Sequence, residues 1–341
     1  MLVPLPRAVA GPRRGERPSG LPPAARNVVA ETVTPSGVGL PAPVASGAIT
    51  SPRWQASVWR RNLPFLLVHL GCLAAFVTGV SWPAVVAFLG FYRLRVFFVT
   101  GFYHRYFSHR SYKTTRIGQA VIAFLGTTAM QKGPLWWAGH HRFHHRHSDD
   151  ELDVHSPKAR GFWWAHVGWL VEVDRNDTRT EEVRDLARFP ELRFLERYYF
   201  VGTLAFLCGT LGLGIWMERS FPGTGVTLAQ VFVWGFVVST VALWHTTYLI
   251  NSGAHMWGGR RFMTTDTSRN NWLLALLTMG EGWHNNHHRY PGSERNGFFW
   301  HEIDVTHYLL ASLSFFGLVW DLRRPPRHVL DEAGATAWAR R

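Results

Sequence analysis

Cysteine is nearly absent from this 341-residue chain, with Cys72 and Cys208 the only two. Two thiols exclude a disulfide framework and any cysteine-based zinc or iron–sulfur module. Both stand inside apolar runs, where a thiol packs or faces lipid. Charge is also scarce, at 17% of residues against the roughly 25% of an ordinary soluble domain. With 14% aromatic residues, so little charge excludes a chain that is disordered throughout. No nucleic-acid motif is present. No apolar core of about 7–15 residues follows the N-terminal arginines closely, which excludes a secretory signal. Histidine is in excess, with 18 copies. Composition alone therefore points to a membrane protein rich in imidazole.

The net charge of +13 is unevenly placed, because residues 1–62 hold eight Arg and two Glu, a net +6. Up to about residue 50 this segment is rich in Pro, Ala and Gly and has no apolar period. It is expected to be a disordered basic arm over 1–50, attracted to anionic headgroups rather than to nucleic acid. The region 51–322 is expected to be a membrane domain, followed by a disordered tail over 323–341.

Four apolar stretches approach the roughly 20 residues that span a bilayer: about 63–80, 82–103, 198–217 and 228–250. Short turns at 81–83 and 218–227 make them two hairpins. The turns carry almost no charge, whereas the middle segment and both termini are rich in Arg. The positive-inside rule then puts the termini and 104–197 in the cytosol. The fold expected is an all-α integral membrane protein, with four transmembrane helices in two hairpins and a cytosolic helical cap. Arg93 and Arg95 fall inside the second stretch, where a charge costs at least about 2.5 kcal/mol on insertion scales. Either protein shields them or the span is shorter. The apolar runs 117–130 and 307–322 are too short to span and read as buried or interfacial helices.

Nine histidines form four groups in the cap. His104 and His109 lie just beyond the second span. His141, His144 and His145 stand in His-His-Arg-Phe-His-His, and His284, His287 and His288 in Gly-Trp-His-Asn-Asn-His-His. His255 closes Asn-Ser-Gly-Ala-His at the end of the fourth span. Side chains three or four apart share a helix face, so each triplet aims two imidazoles one way and sets a third alongside. Nine imidazoles are too many for one ion. Catalytic zinc uses three protein ligands. The boxes contain no thiolate or carboxylate, which leaves two iron ions in nitrogen-rich shells as the best match.

These stretches resemble a membrane fatty acyl desaturase of the stearoyl-CoA (delta-9) type. The matching segments are 104–113 (HRYFSHRSYK), 141–145 (HRFHH), 161–170 (GFWWAHVGWL), 251–255 (NSGAH) and 281–291 (EGWHNNHHRYP). The likeness extends over roughly 60–322. It implies that the nine histidines bind two irons, with Asn251 reaching one of them through water. It implies a reaction in which O2 and two electrons convert a saturated acyl chain to a cis alkene and water. The acyl chain would lie in a tunnel closed to water, with Tyr248 lining it or its mouth. From the residues alone, His155 in Asp153-Val-His-Ser-Pro is a candidate to support a ligand from outside the ligand set. Animal members carry an Arg-Asp pair where Gly139 and His140 stand here, so the acyl carrier stays open among CoA, acyl carrier protein and phospholipid. The residues after Arg323 are too few for a haem domain, so electrons are expected from a separate ferredoxin or cytochrome b5-like protein. A bacterial cytoplasmic membrane is the expected location.

Two other readings compete. A membrane di-iron fatty acid hydroxylase uses similar boxes and inserts oxygen, but the Asn251–His255 group favours desaturation. A metal transporter requires ionisable groups along its spans. Only His69 and His245 answer that description, and neither belongs to a box.

Overall fold

The computed structural model describes residues 52–172 and 177–338. The expected basic arm over 1–50 lies outside the described residues. The described residues are mainly helical: α1 (Pro52–Gly71), α2 (Trp82–Ser108), α3 (Arg116–Thr127), α4 (Pro134–His147), α5 (Phe200–Ser220), α6 (Leu228–His255), α7 (His284–Arg289), α8 (Val305–Phe315) and α9 (Arg327–Trp338), with several shorter turns between them. Among the described residues one two-stranded ribbon pairs β1 (Lys113–Thr114) with β2 (Val319–Trp320), antiparallel, with Lys113 opposite Trp320.

Among the described residues, α2, α5 and α6 are long and apolar enough to cross a membrane. They contain the second and fourth expected stretches and most of the third. The first stretch forms a shorter apolar helix, Asn62–Thr78, broken after Gly71 and resumed as the turn Ala74–Thr78. Apolar side chains cover the outside of these helices: Leu67, Phe76 and Val77 on the first, Phe200, Leu204 and Trp216 on α5 are all exposed. Such a surface suits lipid and not water.

The two arginines inside α2 are explained by their surroundings. Arg95 is almost wholly buried and gives hydrogen bonds to Thr240 Oγ1 at 2.8 Å and Ser239 Oγ at 2.6 Å. Its guanidinium lies 4.1 Å from the centre of the Phe206 ring. Arg93 gives a bond of 2.7 Å to the Leu276 carbonyl. Protein thus receives the charge of Arg95, whereas Arg93 is exposed and tied to the Leu276 carbonyl.

The short apolar runs pack around α2. Thr115 caps α3 by accepting from Gly118 N–H. Its Ile122, Ala123 and Gly126 meet the Tyr103 and Phe107 side of α2 in the main core. The run 307–322 is helical only to Phe315. Gly317 adopts a left-handed φ of 70°, which ends the helix and turns the chain into β2. The tail expected to be disordered from residue 323 instead forms α9. Its Val329 and Ala333 are buried against Phe262 and Phe298, and Glu332 pairs with Arg289. The apolar positions of this short segment, four apart, were too few to stand out by periodicity alone.

Gly126 faces the buried Tyr103 ring so closely that a Cβ there would overlap it. Gly126→Ala should therefore lower stability by about 1–3 kcal/mol, read as a lower thermal midpoint of the purified protein in detergent.

Candidate metal centre

Each histidine group is delivered by a distinct local device. In α2 the α-helical turns of Trp82–Phe97 widen to i→i+5 turns over Phe98–Ser108. Residues five apart stand about 140° apart around an ordinary α-helix. The widened turn instead brings His104 and His109 together, with their Nε2 atoms 3.2 Å apart. Such widened turns recur at functional sites. Arg142 on α4 closes the end of α2 by donating to the Phe107 and Ser108 carbonyls, both at 2.8 Å, and so locks the first box to the second.

Helix α4 starts at Pro134, and its free N–H groups on Leu135 and Trp136 donate to the Glu196 carboxylate at 2.9 and 3.1 Å. The third box sits on the short α7. Asn285 Oδ1 accepts from the backbone of Arg261 and Phe262, and Asn286 Nδ2 donates to the Asn296 carbonyl and Glu302. The two asparagines between the histidines thus fasten the box to the loops around it.

The nine rings converge as two groups. His104, His109, His141, His145 and His287 form one, and His144, His255, His284 and His288 the other, each with its ligand atoms within 4.8 Å of one another. In the first group the Nε2 atoms make a closed circuit, 104–109–141–145–287–104, with steps of 3.2, 2.9, 3.0, 2.9 and 3.0 Å. The groups are adjacent, with the His145 and His288 ring centres 4.5 Å apart.

Four carboxylates stand behind the rings. Nδ1 of His104 lies 2.6 Å from Glu281, that of His144 3.2 Å from Asp153, that of His255 3.2 Å from Asp149, and that of His288 2.7 Å from Asp266. A carboxylate fixes the ring proton on Nδ1 and leaves Nε2 as a bare lone pair. Burial, followed by neighbouring imidazoles, holds His109, His141, His145, His284 and His287 far below the usual histidine pKa. Burial also pulls His288 down to about 4 despite Asp266. His144 is the exception: burial opposes its charge, but Asp153 outweighs burial and raises it. Burial disfavours the charged carboxylates too. Their histidine partners and local hydrogen bonds overcome it, leaving Asp149, Asp153 and Asp266 well below the normal range.

Lone pairs converging at about 3 Å repel unless a proton or a cation lies between them, and on His104, His144, His255 and His288 the carboxylates draw the ring proton to the outside. The four carboxylates behind the rings also place negative charge beside the converging nitrogens, which suits bound cations. The donor set therefore fits two such ions bound by nitrogen, a type imidazole provides for iron, zinc, copper and nickel.

An apolar cavity opens onto both groups. Val96, Val99, Leu243 and Ile250 line it, and His104, His141, His284 and Asn251 form its polar end. Tyr248, expected in the tunnel wall, is not among the lining residues. It points to the other side of α6, against His166 and His245, and Thr247 takes the place at the cavity. His155 lies beside His144, with ring centres 4.4 Å apart and Nδ1 3.3 Å from Asp153. The sequence reading missed the four carboxylates. Asp149 and Asp153 follow the second box and Glu281 opens the third, so an acid beside those two boxes was the available signal, whereas Asp266 had none.

A pattern describing the fatty acid desaturase family matches residues 80–314. The chain is 37% identical over 267 residues to an acyl-CoA C20 Delta5-desaturase of Anemone leveillei, covering 76% of this chain and 79% of that one. It is 37% identical over 268 residues to an sn-1 stearoyl-lipid 9-desaturase of Anabaena variabilis, covering 78% and 93%. Delta-9 acyl-lipid desaturase 1 of Arabidopsis thaliana is 35% identical over 294 residues, covering 82% and 87%.

Two substitutions probe the centre. His144→Ala should lower bound metal and abolish activity, because no neighbouring ring can supply the lost nitrogen; elemental analysis finding the wild-type metal content in active protein would reject the assignment. Asp266→Asn keeps the shape but loosens the hold on His288. Metal affinity should fall about 10–100-fold, measured by competition with a chelator.

Proposed function

The chain belongs to the fatty acid desaturase family, and on that footing we propose that it introduces a cis double bond, at the delta-9 position, into a saturated fatty acyl chain. The acyl chain arrives as a thioester or as a lipid. The observation that carries this reading is the apolar cavity whose polar end is formed by bare imidazole nitrogens from both groups.

His104, His109, His141, His145 and His287 hold one iron in this reading. His144, His255, His284 and His288 would hold the second, and Asn251 would reach one of the two through a water. Once bound, the irons supply the reduction of O2 that draws two hydrogens from the acyl chain. The protein does the rest by orientation and exclusion. Val96, Val99, Leu243 and Ile250 take the methylenes and keep bulk water out. Thr100, Thr246, Thr247 and Asn251 give the wall a polar strip on the way to the imidazoles. Asp149, Asp153, Asp266 and Glu281 hold four rings with Nε2 turned inward. His155 steadies the pair His144–Asp153 from behind. Electrons come from a separate one-electron carrier, a ferredoxin or a cytochrome b5-like protein.

The helix Asn62–Thr78 serves as a fourth pass in the same proposal. Its exposed Leu63, Leu66, Leu67, Leu70, Phe76 and Val77 form an outer face suited to lipid. Four passes put both termini and the metal centre on the cytosolic side, in a bacterial cytoplasmic membrane.

Expression in a host that makes no unsaturated fatty acids tests the function directly. Mass spectrometry of its lipids should find monounsaturated chains with the double bond at carbon 9. Hydroxylated chains in their place would transfer the protein to the hydroxylases, and unchanged lipids from metal-loaded protein supplied with a donor would reject the reading.

A further inference from the structure

Between His255 and His284 the chain leaves the metal centre and returns to it. Before returning it forms a short helix, Trp272–Leu277, with the sequence Trp-Leu-Leu-Ala-Leu-Leu. Six residues reach only about 9 Å, too little to cross a bilayer. Yet Trp272 is 66% exposed, Leu273 52% and Leu276 40%, while Leu274 and Ala275 are buried.

Contacts with the two spans fix where this helix stands. Arg93 Nη1 on α2 donates to the Leu276 carbonyl at 2.7 Å, and the Tyr92 hydroxyl donates to the Leu277 carbonyl at 3.0 Å. The same hydroxyl lies 3.0 Å from Thr246 Oγ1 on α6. Arg93 is eleven residues past Trp82, about 16 Å into a hydrocarbon core about 30 Å thick. Thr246 is nine residues before His255, about 13 Å along α6. The end of the short helix therefore stands at the depth of the spans, in the half of the bilayer nearer the metal centre. The surface of α2 shows what surrounds it there. Val86, Leu89, Arg93 and Leu94 are exposed, whereas every residue from Arg95 to Ser108 is buried. Leu276 is exposed and tied to Arg93, so the outer apolar surface of α2 passes to the short helix at the level where its own ends.

Hydrocarbon tolerates such an excursion only if no backbone group is left unpaired. A helix ends in four carbonyls with no partner inside it, and here all four are taken. The Leu274 carbonyl accepts from Thr278 N–H at 2.8 Å and from its hydroxyl at 2.6 Å, and the Ala275 carbonyl accepts from Gly280 N–H at 2.8 Å. Those of Leu276 and Leu277 accept from Arg93 and Tyr92. The turn Thr278–Gly280 that follows is buried, and its Met279 carbonyl accepts from Thr306 N–H at 2.9 Å. Irregular backbone is thus enclosed by protein, and apolar side chains of the helical part face outward. At the start of the helix Trp272 and Trp257 are both exposed, and the Trp257 carbonyl accepts from Asn271 at 3.4 Å. Indoles collect in this way where a membrane meets water.

We infer that Trp272–Gly280 is a re-entrant membrane segment, with Leu273 and Leu276 against lipid acyl chains and Arg93 placed inside α2 to cap it. The bilayer is the occupant of this surface because the surface continues the outer side of α2. The inference goes beyond the catalytic reading and requires only that α2 spans the membrane. It also anchors the third histidine box in the bilayer, since Glu281 and His284 follow the turn directly.

Site-specific quenching tests it. The full chain carrying Cys72→Ala and Cys208→Ala receives one further change, Leu276→Cys, Leu89→Cys or Glu151→Cys. Each of these three positions is exposed, so the core is left intact. The cysteine is labelled with nitrobenzoxadiazole and the protein is placed in phosphatidylcholine vesicles with or without bromine on the acyl chains. The label at Leu276 should be quenched by bromolipid as strongly as the one at Leu89, and the one at Glu151 should stay bright. A bright label at Leu276 beside a quenched one at Leu89 overturns the inference, whether water or a second copy of the chain covers the site. A bright label at Leu89 would remove α2 from the bilayer and overturn span and inference together. Arg93→Leu adds a test of sign. It takes a charge out of an apolar span, yet in vesicles it should lower the thermal midpoint, because the Leu276 carbonyl is left bare in hydrocarbon. A midpoint unchanged or raised would mean that water reaches this carbonyl, and would overturn the assignment.

Discussion

Bare nitrogens pointed at one another are the constraint from which the rest of this structure follows. A buried imidazole normally satisfies both ring nitrogens. Here four are held by carboxylates on their outer nitrogen, so the inner lone pairs face inward with no proton left for them. The carboxylates are themselves buried, which is unfavourable without compensating positive charge. Arg105 supplies part of it, bridging Glu281 and Asp304 at 3.0 Å each. The remaining deficit lies where the lone pairs converge. A cation at each point answers both demands, and binding free energy there is also folding free energy.

The membrane helices serve this arrangement as much as they serve the bilayer. The widened turns of α2 bring the first pair of histidines onto one face. The end of α6 places His255 and Asn251 at the same depth. Between them the helices leave a cavity whose apolar walls come from their membrane-embedded turns. Arg95 illustrates the cost of building such a core from polar parts. Its charge is accommodated only because Ser239, Thr240 and the Phe206 face are all turned toward it.

What could be read from the sequence was whatever repeats locally. The histidine boxes were legible because ligands on one helix must be three or four residues apart, and three spans were legible because lipid demands an unbroken apolar run. What could not be read depends on elements distant in the chain. The widening of α2 changes which side chains align without changing composition. Asp149, Asp153 and Asp266 look like ordinary loop acids until the rings behind which they stand are in place. Tyr248 was assigned to the cavity by position in a motif, but one residue along a helix is a 100° turn, and that turn gives the wall to Thr247. Helix α9 went unseen because its apolar stripe is two side chains wide and finds its partners, Phe262 and Phe298, in another part of the chain.

The two triplets divide in opposite senses, and this gives the spacing a further meaning. In the second box the pair four apart, His141 and His145, joins the first group, and His144 joins the other. In the third box the pair four apart, His284 and His288, joins the second group, and His287 crosses to the first. Each helix therefore contributes to both groups, with two nitrogens in one and a single nitrogen in the other. A helix that carried all its ligands to one ion would allow the sites to load independently. With the roles exchanged between α4 and α7, displacement of either helix removes nitrogens from both groups at once. The pattern His-x-x-His-His, met twice, is thus more than a way of counting ligands: it couples the two positions through the rigid turns of the helices that bear them.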